Sequence, residues 1–552
     1  MKKSAVLFLY IGLFGCNQQD QEISKAQSIA SPQITPTVQF DDSAAKRNLV
    51  FIKDQYLKMI KNIDNNEHLH FANNCDTHSN VCFPRAKEHD AIFMEKATKW
   101  TNGFYPGLLW KLLSANKEID NFTTDEQMQI LAKAKYYQKA LLPETLRGST
   151  HDLGFILYDS FGEALNYDGL SEADRHQYNE ALKIGRKTLA TRYFPEKGLI
   201  KSWDWKPTFS AHTLIDGEIS KKAMTLAEPW DFPVIVDNMM NLEYFMSSDN
   251  TDYRELAFSH AKQTYLKHYF YAEDDINQDF PIAYHVFDYG KNRPGNWQGV
   301  GNISAWARGQ GWSLYGFVTV AEALKAQGSD MELPDFELHI EKLINSIAKL
   351  MKDDAVPYWD YYATLPSAAE IAANQSNLTA QYSHILDLCD FQIAANILPY
   401  NGYAPIKIAK NIVSKETLTQ LSSLTSVYKE PFLQGDYILP CGSKPFKNKA
   451  THIPRDSSAA ALYAAALYRL AKFTEKTQLR AKAINFADKI MLELTTNYLT
   501  SKNKAQDYQL GFALTEATGN LPNASEINTS IVYADFYFLE ANMLKLELSD
   551  NY

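Results

Sequence analysis

The chain has 552 residues, 45% of them hydrophobic and 22% charged, which is enough for one or two large cores. Its formal net charge of −10 argues against nucleic acid as a partner, because phosphate backbones are bound by basic surfaces. Aromatic residues make up 13% of the chain. Sugar rings stack on such side chains, although large helical cores also use them.

Residues 1–16 have the features of an export signal. Lys2 and Lys3 precede a short apolar run that ends in Leu13-Phe14-Gly15-Cys16. This ending resembles a bacterial lipobox, in which the cysteine is lipidated after cleavage, and an ordinary signal peptide is the alternative. We predict an exported lipoprotein, anchored to the lipid bilayer through Cys16, on the periplasmic side of the outer membrane or at the cell surface. Residues 17–41, rich in Gln, Ser, Pro and Thr, then form a flexible tether.

Four further cysteines remain in the exported part of the chain, and an even number permits two disulfides. We favour the pairs Cys75–Cys82 and Cys389–Cys441, because each pair lies within one irregular region. Free or metal-bound thiols are the alternative. No CxxC or HExxH spacing supports a metal site.

Residues 42–548 are predicted to be mainly helical. Asp42 or Ser43 can cap the first helix, and a Ser-x-x-Asp capping signature opens the helix at Ser171. In the helix 477–496, apolar residues repeat at helical spacing on one face. The predicted helices cover 42–63, 104–113, 124–141, 151–165, 171–193, 235–247, 251–270, 307–326, 335–352, 456–473, 477–496 and 526–547.

The helices often alternate between a more buried and a more amphipathic type. The helix after Asp456 is rich in alanine and apolar nearly all round, which is typical of a helix enclosed by others. Six helical hairpins in a ring would use this pattern, and a superhelical stack of helix pairs is the alternative. No clean fixed-period repeat supports the stack. The fold class is therefore predicted to be all-α, interrupted by irregular stretches at 206–231 and 361–454, the longer of which is a candidate lid-like subdomain.

The stretch Pro233-Val234-Ile235-Val236-Asp237-Asn238-Met239-Met240 carries one carboxylate into an apolar run. Burial penalises the charged form of a carboxyl group, so its pKa rises and it can hold a proton near neutral pH. A general acid needs this property. The alternative interpretation of Asp237 is a helix cap, in which the carboxylate accepts from free backbone N–H groups.

Two more motifs carry candidate chemistry. His151-Asp152-Leu153-Gly154-Phe155 supplies a second carboxylate, for which a helix cap is again the alternative. Two carboxylates in one cleft repel each other, so one holds a proton while the other stays charged, as glycosidic chemistry commonly requires. In Trp306-Ala307-Arg308-Gly309-Gln310-Gly311-Trp312, the arginine can grip a substrate carboxylate or pair with a structural aspartate.

Seven motifs occur in one order along the chain: Trp100-Thr101-Asn102-Gly103-Phe104-Tyr105-Pro106-Gly107, His151-Asp152-Leu153-Gly154-Phe155, Val236-Asp237-Asn238-Met239-Met240-Asn241-Leu242, Arg308-Gly309-Gln310-Gly311-Trp312, Tyr358-Trp359-Asp360, Asp456-Ser457-Ser458-Ala459 and Ala534-Asp535-Phe536-Tyr537. Each motif alone is weak, but together and in register they are specific. Over roughly residues 42–548 the chain resembles the unsaturated glucuronyl hydrolases, glycoside hydrolase family 88.

The resemblance implies an (α/α)6 barrel with a central cleft. It also implies substrates that carry a 4,5-unsaturated uronic acid at the non-reducing end, such as lyase products of ulvan or glycosaminoglycans. Family chemistry hydrates the double bond and needs no metal or organic cofactor. The resemblance implies that Asp237 is the general acid and base and that Asp152 holds ring hydroxyls. The substrate-binding positions that it implies are Trp100, His151, Trp203, His285, Asn296, Gln298, Arg308 and Trp312.

Two stretches depart from the family pattern. The segment 206–231 lengthens the chain between the two carboxylates, and 361–454 falls where the family has a short loop. Two alternative functions stay open at this point. One is unsaturated rhamnogalacturonyl hydrolysis, which shares the fold and chemistry, and the other is glycan binding without catalysis by an outer-membrane lipoprotein.

Overall fold

The computed structural model describes residues 40–73, 75, 81–88, 90–204, 208–215, 218–225, 230–272, 274–295, 297–299, 304–327, 335–351, 355–362, 405–409, 436–440, 453–520 and 525–549. The predicted lipidation site Cys16, the cysteines Cys389 and Cys441 and the candidate binding residue Asn296 lie outside the described residues. So do almost all of the predicted tether and most of the 361–454 insertion.

Six inner helical segments follow one another around a ring. Each packs on the next, and the last packs on the first, so that the ring closes. They are α2 (Phe104–Ile119), a π-helical segment (Gly154–Gly162) that continues into α4 (Glu163–Leu165), a 3₁₀ turn (Val236–Met240) that continues into α6 (Asn241–Met246), α8 (Ala307–Ala326), α10 (Ser457–Phe473) and α14 (Val532–Ser549).

Each inner segment has an outer helix packed against it. The outer helices are α1 (Asp42–Asp64), α3 (Thr124–Ala140), α5 (Glu172–Ala190), α7 (Thr251–Lys267), α9 (Phe336–Leu350) and α11 (Thr477–Glu493). Shorter helices are α12 (Thr500–Asn503) and α13 (Ala505–Leu510), with 3₁₀ turns at Trp100–Gly103 and Leu142–Leu146 and a π-helical turn at Leu494–Tyr498. This arrangement is the (α/α)6 barrel that the motifs imply.

Burial explains which helix lies inside. In α10 nearly every residue is buried, as its apolar composition predicts, because it contacts α8, α11 and α14 together. In α11 the buried residues are confined to one face, including Leu479, Ala483, Ala487 and Ile490. Capping residues set several helix starts. For example, the Ser171 side chain accepts from the backbone of Asp174, and Asp41, one residue before the predicted cap, accepts from Ala44.

Three predicted helix starts are wrong. The segment predicted from His151 begins at Gly154, and the one predicted from 235 is a 3₁₀ turn until Asn241. The last helix begins at Val532 rather than at 526, because residues 525–529 pair with residues 516–520 through bridges at Ala517–Thr529 and Asn520–Ser525, an arrangement called here the hairpin 516–529. All three segments lie at the same end of the barrel, where backbone departs from α-helix to line a cleft.

The strands are short and peripheral. They are β1 (Leu69–Phe71), β2 (Cys82–Glu88), β3 (Ala91–Lys96), β4 (Tyr193–Phe194), β5 (Leu199–Ile200), β6 (Thr208–Ile215), β7 (Glu218–Thr225), β8 (Pro233–Ile235), β9 (Tyr269–Phe270), β10 (Ile282–Ala283), β11 (Val286–Asp288), β12 (Arg293–Gly295), β13 (Pro405–Ala409) and β14 (Asp436–Pro440).

One sheet joins the two irregular stretches of the sequence. Strands β6 and β7 from the first stretch form a hairpin, and β13 from the 361–454 insertion pairs with β6 in parallel, giving the order β14-β13-β6-β7. The insertion therefore shares a sheet with the segment between the two candidate carboxylates. Elsewhere, Cys75 and Cys82 form the disulfide that the sequence favours. No helix in the described ranges is long and apolar enough to cross a membrane.

Candidate active site

A cleft of about 390 Å³ opens at the end of the barrel where the inner segments begin. Helix N-termini carry partial positive charge, so this end of a helical ring favours anionic ligands. Both candidate carboxylates, Asp152 and Asp237, line the cleft. Its other lining residues are Arg85, Lys99, Trp100, His151, Trp203, Ile235, Trp297, Gln298, Asn520, Ser525 and Glu526.

Asp237 is held in a poorly hydrated position. It follows strand β8, whose three residues are all buried, and its own side chain is only 6% exposed. Burial raises the pKa of Asp237 from its ordinary 3.8 to about 7. The charge of Asp152 adds to this rise in pKa, whereas the Arg308 guanidinium and the backbone N–H of Asp237 itself oppose it. Its Oδ2 atom has no hydrogen-bond partner among the described residues. The alternative of a helix cap is wrong, because no side chain caps this turn.

Asp152 has a more polar environment than Asp237. Its side chain is 22% exposed, and its Oδ2 accepts from the Thr150 hydroxyl at 2.5 Å. Its Oδ1 lies 3.3 Å from Nε2 of the buried His151 ring. Burial lowers the pKa of His151, and the nearby Asp152 charge opposes that shift. Asp152 and Asp237 therefore have unequal surroundings, as the pairing argument requires.

Arg308 does not line the cleft, where it would have to lie to bind a substrate carboxylate. It is 1% exposed, and its Nη1 donates to Asp456 Oδ2 at 3.0 Å and to the Thr518 carbonyl at 2.9 Å. Its Nη2 donates to the Gly519 carbonyl at 2.5 Å. The structural ion pair is thus the interpretation that holds in the structure. Arg308 fixes the hairpin 516–529 against the barrel, and its charge acts on Asp237 through space.

The three candidate tryptophans have different positions. Trp100 and Trp203 line the cleft, and Trp203 stacks on Trp230 with ring centroids 5.4 Å apart. Trp312 is fully buried and packs edge-on against Phe155 and Tyr537, outside the cleft lining. The expected role of Trp312 in binding substrate therefore finds no support, because the ring belongs to the barrel core.

His285 and Gln298 lie next to each other at one wall. The Nδ1 of His285 accepts from the backbone N–H groups of Gln298 at 3.0 Å and Trp297 at 3.3 Å. His285 is 3% exposed and lies behind the lining, whereas Gln298 lines the cleft and donates to the Gly519 carbonyl. His285 therefore shapes the loop that presents Gln298.

Several lining residues carry no recognisable sequence signal. Arg85, on β2, donates to Glu95 at 3.0 Å and to Glu526 at 2.5 Å, which ties the β2–β3 hairpin to the hairpin 516–529. Arg85 and Glu526 are 441 residues apart in sequence, so no local motif marks this pair. Glu526 has a φ of 54°, an uncommon conformation for a residue with a side chain, and no composition rule predicts it.

No group of three or more His, Cys, Asp or Glu side chains among the described residues has the geometry to hold a metal ion. The acid–base groups of the cleft lining include Asp237, Asp152, Glu526 and His151.

Comparison with known proteins agrees with the motifs. No family model matches the chain. An unsaturated glucuronyl hydrolase of Formosa agariphila is 26% identical over 479 residues, covering 84% of this chain and 85% of that protein. An unsaturated chondroitin disaccharide hydrolase of Streptococcus pyogenes serotype M1 is 26% identical over 293 residues, covering 50% of this chain and 60% of that protein.

A solved structure, an unsaturated glucuronyl hydrolase specific for heparin, is similar with a TM-score of 0.59 and 24% identity, covering 92% of this chain and 98% of that one. At this identity the structural likeness shows the fold alone. The long match to the Formosa protein, the shared fold and the ordered motifs all agree with the resemblance of the chain to the unsaturated glucuronyl hydrolases.

Proposed function

We propose that the chain is a hydrolase that removes 4,5-unsaturated glucuronic acid from the non-reducing end of oligosaccharides. The observation that carries this proposal is Asp237, a buried carboxyl group whose pKa is raised to about 7 inside a cleft that also contains Asp152. Such a group is protonated in a useful fraction near neutral pH and needs only a basic double bond within reach to act as an acid.

The reaction proceeds by hydration. The protonated carboxyl of Asp237 adds its proton to C4 of the C4=C5 double bond, and positive charge develops at C5. Water adds to C5, and the Asp237 carboxylate takes up the proton that this water releases. The hemiketal at C5 then opens to a ketone and leaves a hemiacetal at C1, which releases the neighbouring sugar. Asp152, more exposed and more polar, holds ring hydroxyls during these steps.

Loss of the ultraviolet absorbance of the double bond tests the proposal directly. The wild-type protein should remove this absorbance from lyase-generated disaccharides, and Asp237→Asn should abolish the loss while retaining binding, since the amide cannot donate the same proton. Binding without any absorbance loss by the wild type, on every lyase product tried, would favour a glycan-binding protein instead.

For the substrate class we propose lyase products of ulvan or of glycosaminoglycans. One similar protein is an unsaturated chondroitin disaccharide hydrolase and another is specific for heparin, so glycosaminoglycan digests belong in the panel beside ulvan and rhamnogalacturonan digests. The lining combines Lys99 with aromatic Trp203, a combination suited to anionic sugars. Comparing kcat/KM across the panel ranks the parent polymers.

For the location we propose a lipoprotein of the outer membrane, anchored through acylated Cys16. The supporting observation is the sequence Leu13-Phe14-Gly15-Cys16 after a short apolar run. Mass spectrometry of the mature N-terminus tests acylation. Cys16→Ala should move the protein from the membrane fraction to the soluble fraction, and an unchanged distribution would contradict the anchor.

A further inference from the structure

Beneath the cleft, a chain of side-chain amides runs between two backbone groups. The backbone N–H of Gly154 donates to Asn241 Oδ1 at 2.9 Å, and Asn241 Nδ2 donates to Asn238 Oδ1 at 2.8 Å. The same Asn238 Oδ1 lies 2.9 Å from Nδ1 of His151. At the other end, Asn238 Nδ2 donates to the backbone carbonyl of Ile200 at 2.9 Å.

The backbone groups at the two ends fix the orientation of both amides. A backbone N–H can only donate, so the Asn241 atom facing Gly154 is its oxygen, and its nitrogen must face Asn238. A backbone carbonyl can only accept, so the Asn238 atom facing Ile200 is its nitrogen. Asn238 therefore presents an oxygen to His151, and the ring nitrogen that faces it, Nδ1, must carry a proton.

The other ring nitrogen of His151, Nε2, is buried next to the cleft lining and carries no proton when the ring is neutral. Its Nε2 has no hydrogen-bond partner in the described part of the chain and lies 3.3 Å from Asp152 Oδ1. We propose that Asn238 is a positioning residue that holds His151 in the Nδ1–H tautomer, so that Nε2 and the Asp152 carboxylate accept two neighbouring hydroxyl groups of the sugar. The substrate part of this inference rests on the proposed function.

The tautomer decides what the site can bind. With the proton on Nε2, His151 would donate to Asp152 and occupy the oxygen that a sugar hydroxyl needs. With the proton on Nδ1, two acceptor atoms stand side by side and both require donors, which a sugar diol provides. A buried acceptor that receives no hydrogen bond raises the free energy of the protein, so the site favours a ligand that supplies a hydrogen-bond donor.

The charge state of His151 sets the pH range of the site. Asp152 and Arg192 change the pKa of the His151 ring, and His151 in turn lowers the pKa of His260. Asp237 lines the same cleft. Burial lowers the pKa of His151, which keeps the ring neutral through the neutral range. Below that pKa, Nε2 gains a proton and the acceptor is lost, so the affinity for a diol falls at acid pH.

Nitrogen NMR of the substrate-free protein tests the tautomer. The protein is labelled with ¹⁵N-histidine, and the His151 signals are assigned by their loss in a His151→Gln variant. We expect a protonated Nδ1 and an unprotonated Nε2 at pH 7. A proton on Nε2 at that pH would overturn the proposal. This readout needs no substrate, so it stands apart from the success or failure of the proposed activity.

Kinetics with matched variants test the consequence. Asn238→Leu keeps the volume but removes the acceptor, and KM for an unsaturated disaccharide should rise about three- to tenfold, the value of one hydrogen bond, while kcat changes less. The control is Ser202→Ala, which removes a second partner of the Asn238 amide at 3.0 Å and the acceptor of the Ile235 backbone N–H at 2.9 Å, but leaves the Ile200 bond in place. Its KM should stay within about twofold of the wild type.

A modified substrate separates positioning from general damage. On a disaccharide that lacks one hydroxyl of the unsaturated ring's diol, the KM values of wild type and Asn238→Leu should be equal. An Asn238→Leu effect that persists undiminished on the deoxy substrate, or that Ser202→Ala reproduces, would overturn the role of Asn238. If Asn238→Leu does not fold, the tautomer measured in the wild type decides.

Discussion

Replacing Asp237 by asparagine should stabilise the fold, and the gain should grow with pH. Burial raises the pKa of Asp237 from 3.8 to about 7, so the folded protein binds a proton more tightly than the unfolded chain does. The contribution of this carboxyl group to the free energy of unfolding is therefore fully present below pH 3.8 and is lost as the pH rises through about 7. A shift of this size corresponds to about 4 kcal/mol above pH 7, of which about 2.5 kcal/mol accumulates between pH 5 and pH 8.

Urea unfolding of wild type and Asp237→Asn at pH 5 and pH 8 measures this effect. Asparagine does not titrate, so the stability difference between the two proteins should increase by about 2–3 kcal/mol from pH 5 to pH 8. A difference that is the same at both pH values would refute the buried, proton-holding state of Asp237. The matched control is Asp535, also buried with a pKa raised to about 7, but bonded to Tyr56 outside the cleft lining. Asp535→Asn should show the same pH trend and keep the ultraviolet activity.

Two further variants test the charges around Asp237. The negative charge of Asp152 raises the pKa of Asp237, so in Asp152→Asn the decline of kcat/KM with rising pH should begin at a lower pH, as a pH–rate profile on the residual activity will show. Arg308→Met leaves Asp456 buried without its ion pair, which should cost about 3–5 kcal/mol in urea unfolding, and a loss below about 1 kcal/mol would contradict the structural role of the pair.

Most of the barrel could be predicted from the sequence because helix periodicity is a local signal. The apolar stretch Ser457–Phe473 and the amphipathic stretch Thr477–Glu493 differ in composition, and that difference alone assigns one to the inside and one to the outside. The helix starts at the cleft could not be predicted as well. There the backbone follows tertiary contacts, as in the turn Val236–Met240, where a 3₁₀ segment carries Asp237 into the cleft.

Residue roles that depend on distant partners could not be read from the sequence. The motif around Arg308 leaves substrate binding and a structural ion pair equally open, and only its contact with Asp456 decides between them. Trp312 has the same composition signal as Trp203, yet one ring lies in the core and the other in the cleft. The role of Asn238 could not be predicted either, because the orientation of its amide depends on His151 and Ile200, which lie on two other segments.

The acidity of Asp237 results from opposing effects that no single stretch of sequence contains. The apolar strand before it supplies the desolvation, which is visible in the sequence and raises the pKa. Arg308 opposes that rise, and Arg308 is held near Asp237 by Asp456 and by the carbonyls of the hairpin 516–529. Without the guanidinium the pKa of Asp237 would be higher. The ion pair with Asp456 thus keeps Arg308 where its charge lowers the pKa of Asp237 against the larger effect of burial.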